Sequence, residues 1–163
     1  MDPYLAIASK RDERAYADTP VPPDVRERIL DSGRLSGSSR NRQRWEFVVV
    51  SGPAQSRLAD AVYAPENVRS AALVVAIVGE AYAFDVGRCA QNMMLGAWGE
   101  GVVSCPNGIR DADAAAEICG GDVRAILSFG YPARPRDPES RSAEEWSARA
   151  NRKPLSDLVR DVG

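Results

Sequence analysis

The chain has 163 residues, 21 basic against 23 acidic, three cysteines and 44% hydrophobic residues, and it has no histidine. The length suits one domain with a real core, or one protomer of a small obligate oligomer. The apolar and charged fractions exclude a disordered chain or a fibrous repeat. The missing histidine excludes Ser-His-Asp and Cys-His mechanisms, HExxH zinc sites, and imidazole as acid, base or metal ligand. Chemistry must therefore come from other side chains or from a bound cofactor.

The net charge of −2 gives no general pull toward nucleic acid or an anionic membrane. Only Lys10 and Lys153 among the bases are lysine; the rest are arginine, whose planar fork suits carboxylate and phosphate. Cys89, Cys105 and Cys119 form no CxxC pair and are expected to be buried, reduced side chains, with no metal site. The N-terminal stretch lacks a signal-peptide pattern, and the longest apolar run, Ala71 to Val78, is too short to span a bilayer. A cytoplasmic protein is expected, with neither membrane nor nucleic acid as partner.

In chain order, residues 3–10 predict a short helix, followed by the charged run Lys10-Arg11-Asp12-Glu13-Arg14. Pro22-Pro23-Asp24 opens a second helix with Val25, Ile29 and Leu30 on its apolar side and Gly33 at its end. Leu35 to Arg44 is a polar loop, and Trp45 to Val50 a strand. Ser51 is placed to cap a helix running through Tyr63, with Leu58, Ala61 and Val62 inward. The run Ala71 to Val78 predicts a central strand covered on both faces. Phe84 to Gly99 predicts the longest helix, since Cys89, Ala90, Met93, Met94, Ala97 and Trp98 recur at three and four. A short strand at 102–104, a helix from Asp111 to Cys119 closed by Gly120-Gly121, and a strand from Val123 to Tyr131 complete the pattern. Residues 133–151 predict a surface excursion, and residues 152–163 a tail. Strands alternating with helices fit either an α/β or an α+β layered domain over 1–163. GxGxxG and GxxxxGK[ST] loops are absent, which disfavours the corresponding nucleotide folds.

Four segments concentrate chemistry. Ser9 to Tyr16 carries three bases, expected on consecutive helical turns. Ser38-Ser39-Arg40-Asn41-Arg42-Gln43-Arg44-Trp45-Glu46-Phe47 sets donors and acceptors beside an aromatic strand. Asp85 to Cys105 holds a Met-rich helix, and Asn151-Arg152-Lys153-Pro154-Leu155 sets two bases before a proline. Together these resemble the nitroreductase family of FMN-dependent oxidoreductases. The first is similar to the signature R-R-S-x-R-x-F/Y, the second to P-S-x-x-N-x-Q-P-W-x-F, and the third to D-x-G-x-A-x-Q-N-x-x-L-x-A followed by a G-x-G turn. Gly130-Tyr131-Pro132 resembles the family's G-Y-P strand end, and the tail its R-K-P-L.

The resemblance implies an α+β sandwich, mainly antiparallel, flanked by helices and intertwined as a homodimer with FMN at the interface. It implies that Lys10, Arg11, Asp12 and Arg14 lie at the phosphate and ribityl chain, with Arg152 and Lys153 closing on the phosphate from the tail. Ser38, Ser39, Asn41 and Gln43 would meet ribityl or ring, in the family often from the partner subunit. A turn at Pro106-Asn107-Gly108 would present backbone N–H groups to the flavin. The implied reaction takes hydride from NADH or NADPH through FMN to a small electron-poor acceptor such as a nitroaromatic or quinone. Asp12 for Ser, and Gly37 and Arg44 for the two loop prolines, depart from the family pattern. The short link from Gly79 to Phe84 implies an open site without the lid of large members. Two alternatives follow: a non-catalytic or regulatory flavin-binding protein, and a specialised member such as a dehalogenase, a thiazoline oxidase, or an enzyme of cobalt-cofactor or deazaflavin chemistry.

Overall fold

The computed structural model describes residues 1–162. In chain order its elements are α1 (Pro3–Ser9), α2 (Pro23–Arg34), β1 (Glu46–Val50), α3 (Gly52–Asp60), α4 (Pro65–Arg69), β2 (Leu73–Val78), α5 (Ala83–Gly99), β3 (Val103–Asn107), α6 (Ala112–Cys119), β4 (Val123–Gly130) and α7 (Ala143–Arg149). Single 3₁₀ turns lie at Ser39–Asn41, Pro138–Ser140 and Leu155–Asp157. The chain divides into two compact units, Arg11–Arg136 on the one hand and, on the other, Met1–Lys10 with the chain from Asp137 onward.

The larger unit is built on a four-stranded sheet of order β1-β2-β4-β3, antiparallel at every pairing. This is the α+β arrangement, with helices on both faces. All six residues of β2 are buried because the strand is central and covered on both sides. The period of two sorts them: Leu73, Val75 and Ile77 pack with α2 and α5, while Val74, Ala76 and Val78 pack with α3, α4 and α6. Phe129 and Leu127 of β4 join the first layer, and Ile126 joins the second. The long helix α5 turns Val86, Cys89, Met93, Met94 and Ala97 toward the sheet, as its spacing predicts. Burying each such side chain is worth about 1.5–3 kcal/mol, which makes this stripe the main anchor of the helix.

Several local expectations are corrected. The run Lys10 to Tyr16 is not helical: α1 ends at Ser9, and the chain then turns extended, with a parallel bridge from Asp12 to Ser104 and an antiparallel one from Tyr16 to Pro132. Sheet pairing overrides the helix preference of Lys, Arg and Glu there. Pro106 and Asn107 are no turn but the end of β3, paired with Leu127 and Ile126 of β4. Proline is tolerated because β3 is an edge strand. Ser51 precedes α3 without a side-chain cap, and α3 stops at Asp60 rather than reaching Tyr63. Its following residues pair elsewhere: Val62 bridges Ile109, and the Ala61 carbonyl accepts from the Arg110 and Asp111 amides. The short helix α4 has no counterpart in the sequence reading.

In the smaller unit, Asp2 caps α1 by accepting from the amides of Tyr4 (2.8 Å) and Leu5 (3.1 Å). The stretch expected as a plain surface excursion contains α7, which packs against α1. A capping box opens α7: Ser142 Oγ accepts from the Glu145 amide, and the Glu145 carboxylate accepts from the Ser142 amide. Trp146 Nε1 donates to the Pro138 carbonyl at 2.8 Å, closing the preceding turn. Among the described residues no helix is long and apolar enough to cross a membrane.

Candidate functional site

The arginine segment is held to the sheet by its main chain. Asp12 bridges Ser104, and the Glu13 amide donates to the Ser104 carbonyl at 3.1 Å. Along this extended stretch exposure alternates, with Arg11 and Glu13 half-buried and Asp12 and Arg14 exposed. Glu13 is engaged by Arg136 at 2.7 Å, so one of the two interleaved acids is already neutralised.

Tyr16 fastens the end of the segment. Its ring lies so close to Gly130 that a Cβ there would sit 2.8 Å from a ring carbon, and its hydroxyl is 2.8 Å from Ser128 Oγ. Burial pushes the Tyr16 phenol up to about 12 from the usual 10. The F/Y of the first motif and the glycine of the G-Y-P motif are thus two halves of one contact.

The same buried network reaches the third candidate group. Asn107 Nδ2 donates to Ser128 Oγ (3.0 Å) and to the Cys105 carbonyl (3.1 Å), while Asn107 Oδ1 is buried with no hydrogen-bond partner. The Asn107 side chain therefore belongs to the interior, and its backbone pairs with Ile126 of β4. Gly108 follows at the strand end, its carbonyl accepting from the Tyr63 amide at 3.0 Å. A Cβ on Gly108 would lie 3.1 Å from the Tyr63 ring, and that ring is 73% exposed. Tyr63 is a flat wall that sequence reasoning treated only as the end of a helix.

Ser38, Ser39, Asn41 and Gln43 share one loop at the start of β1, on the opposite edge of the sheet from β3. Two strands at about 4.8 Å spacing lie between those edges. Within one chain the loop and the Arg11–Gly108 group are therefore not one cluster. The loop closes on itself, the Gln43 amide donating to Ser38 Oγ at 2.9 Å and Gln43 Nε2 to the Asn41 carbonyl at 3.3 Å. Arg40, Asn41, Arg42, Gln43 and Arg44 are exposed, and Tyr82 and Phe84, at 57% and 75% exposure, flank the start of α5 beside it.

The remaining candidates belong to the smaller unit. The Lys10 amide closes α1 on the Ala6 carbonyl at 3.1 Å, and Arg152 and Lys153 are exposed between α7 and the last 3₁₀ turn. All three cysteines are buried and free of disulfides, and burial pushes the Cys89 thiol up to about 11. None is a ready nucleophile.

A model of the Nitroreductase family matches residues 7–82 and 76–131. Solved structures of similar fold include a proposed nitroreductase in complex with FMN from Desulfovibrio desulfuricans, 24% identical, with 100% of this chain and 98% of that one covered and a TM-score of 0.80. A nitroreductase family protein from Clostridium difficile 630 is 21% identical, with 98% of each chain covered and a TM-score of 0.79. The NADPH:FMN oxidoreductase from Vibrio harveyi, complexed with NAD+, is 20% identical over 96% of this chain and 75% of its own, with a TM-score of 0.81. At these identities the structural likeness speaks to the fold.

Proposed function

The chain belongs to the nitroreductase family, and from that membership we propose an FMN oxidoreductase working as a homodimer. It takes hydride from NADH or NADPH and passes it to a small electron-poor acceptor such as a nitroaromatic or quinone. The observation that carries this reading is the bridge from Asp12 to Ser104, which lays the arginine segment along the strand ending in Pro106, Asn107 and Gly108.

The donor set fits FMN in kind. A phosphate dianion calls for cationic groups, which the Arg11 and Arg14 guanidiniums supply. Asp12 adds a like charge at the phosphate end of the segment. Ser38, Ser39, Asn41 and Gln43 offer the hydroxyl and amide partners that a ribityl chain requires. The opposite-edge location of this loop is the argument for two chains per site, one giving the Arg11–Gly108 group and its partner the loop. Pro106 has no N–H and offers only surface, and Asn107 is paired with β4, whereas the N–H of Gly108 at the strand end favours negative charge at a ring edge.

When bound, FMN supplies the hydride-carrying atom. The protein's part is to hold the phosphate, orient the ring and polarise its edge, work that needs no acid or base and is compatible with the absence of histidine. The test is the absorption spectrum of the purified protein, followed by anaerobic stopped-flow mixing with NADPH and with NADH. A yellow protein that bleaches is expected. Bound FMN without bleaching would leave a flavin-binding protein only, and a colourless protein that ignores added FMN would sink the reading.

A further inference from the structure

We propose that Asp85 is a positioning residue that holds the Ser38–Gln43 loop in shape, as the leading member of a polar stripe on α5. What the loop holds rests on the FMN reading; how the loop is held does not.

The loop is conformationally costly. Arg40, Asn41 and Gln43 have φ of 53°, 53° and 48°, a left-handed backbone in three residues that are not glycine. Such residues cost roughly 1–2 kcal/mol each, asparagine least, and persist only where their surroundings enforce them. The bonds of Ser38 and Gln43 close the loop on itself but do not tie it to the body of the fold. That tie comes from one face of α5. Asp85 Oδ2 accepts from the Ser39 amide at 3.1 Å. The Arg88 guanidinium fills the space beside Gly37, where a Cβ would sit 2.5 Å from Nη2. Cys89 Sγ is 3.4 Å from the Gly33 carbonyl, and Asn92 Nδ2 donates to Ser36 Oγ at 2.8 Å.

Positions 85, 88, 89 and 92 follow the i, i+3, i+4, i+7 rule, so they form a single stripe along the helix. Asp85, Arg88 and Asn92 meet Ser39, Gly37 and Ser36 in turn, and Cys89 meets Gly33 at the end of α2. Asp85 and Asn92, the first and last residues of the D-x-G-x-A-x-Q-N motif, thus acquire a task that touches no ligand. Asp85 is suited to lead it. It is 6% exposed, lies in the first turn of α5 where a carboxylate is favoured, and has Arg88 Nη1 at 3.8 Å to balance its charge.

Limited trypsinolysis and FMN titration of the full chain test this, because Arg40, Arg42 and Arg44 are trypsin sites in and beside the loop. Asp85→Ala without FMN is expected to be cut there about ten times faster than wild type, while its thermal midpoint moves by only about a few degrees. Its FMN dissociation constant should rise about tenfold through lost preorganisation. Asp85→Asn keeps an acceptor oxygen for the Ser39 amide and should stay within about twofold of wild type on both measures. If Asp85→Ala fails to fold, Asn92→Ala carries the same cleavage test with an expected acceleration of about threefold. Unchanged cleavage in Asp85→Ala, or in Asn92→Ala where that variant stands in for it, would overturn the proposal. So would an Asp85→Asn protein as labile as the alanine variant, since that would assign the effect to charge alone. A wild-type protein that binds no FMN defeats the ligand reading separately, and the cleavage rates still decide the anchor.

Discussion

The Arg11–Tyr16 segment and the Ser38–Arg44 loop carry the same chemistry, arginines interspersed with polar groups, but opposite edges of the sheet hold them by opposite means. The first is extended, bridged to β3 through its main chain and closed by a half-buried tyrosine against β4. The second is bent through three left-handed residues and tied by side chains to one helix stripe. Damage to the first should spread into the sheet, whereas damage to the second should stay local. The difference separates residues that set stability from residues that set only the shape of a binding surface.

The sharpest break in that comparison is to remove charge from the first segment while leaving its backbone bridge intact. Arg11→Gln with Arg14→Gln is expected to weaken FMN binding about 100-fold, close to 3 kcal/mol for two charge-assisted contacts. Fluorescence titration of the apoprotein measures it. Next comes the tyrosine seat. Gly130→Ala forces a Cβ to within 2.8–3.0 Å of the Tyr16 ring and should destabilise the fold by about 2 kcal/mol. A double-mutant cycle with Tyr16→Ala should recover much of that loss, because the clash needs both partners.

These two experiments also divide what the sequence could and could not reveal. The central strand and α5 were legible because each announces itself within its own residues. The run at 71–78 is apolar throughout, and Cys89, Met93 and Ala97 recur at the helical period. The extended path of Arg11 to Arg14 was not legible, because its residues favour a helix locally and the sheet edge that overrides them, Ser104, is far away in the chain. Pro106-Asn107-Gly108 has turn composition but pairs with β4, a fact carried by Leu127 and Ile126 and not by the tripeptide. The cofactor loop was recognisable by its motif, while its anchor Asp85 became visible only once α5 lay against it. The helix α7 did carry a readable signal, Ser142-x-x-Glu145, the pattern of a capping box.

Tyr16→Phe probes the seat more gently, and pH gives it a signature. Losing the hydroxyl's bond to Ser128 should cost about 1 kcal/mol near neutrality. The Tyr16 phenol is held up to about 12 in the folded protein, above the usual 10 of the unfolded chain. The folded state thus keeps a proton that the unfolded state releases. The stabilisation is complete below pH 10 and is lost as pH rises toward 12. The phenylalanine variant has no such proton, so its deficit at pH 8 should shrink above pH 10 and change sign before about pH 12 in urea titrations. Burial also pushes the Cys89 thiol up to about 11, but that titration is common to both proteins and cancels in their difference. No deficit at any pH would mean that Tyr16 is seated by its ring alone, and a deficit constant from pH 8 to pH 12 would mean that burial does not hold the phenol's proton.

The smallest effect has the opposite sign and tests the second region. Arg40 sits at φ 53° with no acidic partner among the described residues. Relieving its left-handed backbone with glycine gains about 1 kcal/mol, from which the greater freedom of glycine in the unfolded chain subtracts about half. Arg40→Gly should therefore stabilise the protein by about 0.5 kcal/mol, raising its thermal midpoint by a degree or two. Asn41→Gly is the control, because asparagine tolerates this conformation and there is less strain to release. Trypsin should still find the loop of Arg40→Gly protected at Arg42 and Arg44 as long as Asp85 holds the Ser39 amide. If glycine at position 40 instead destabilises the fold, the bend stores no strain. The two regions would then differ only in which neighbours they touch, and α5 would be following the loop's own preference.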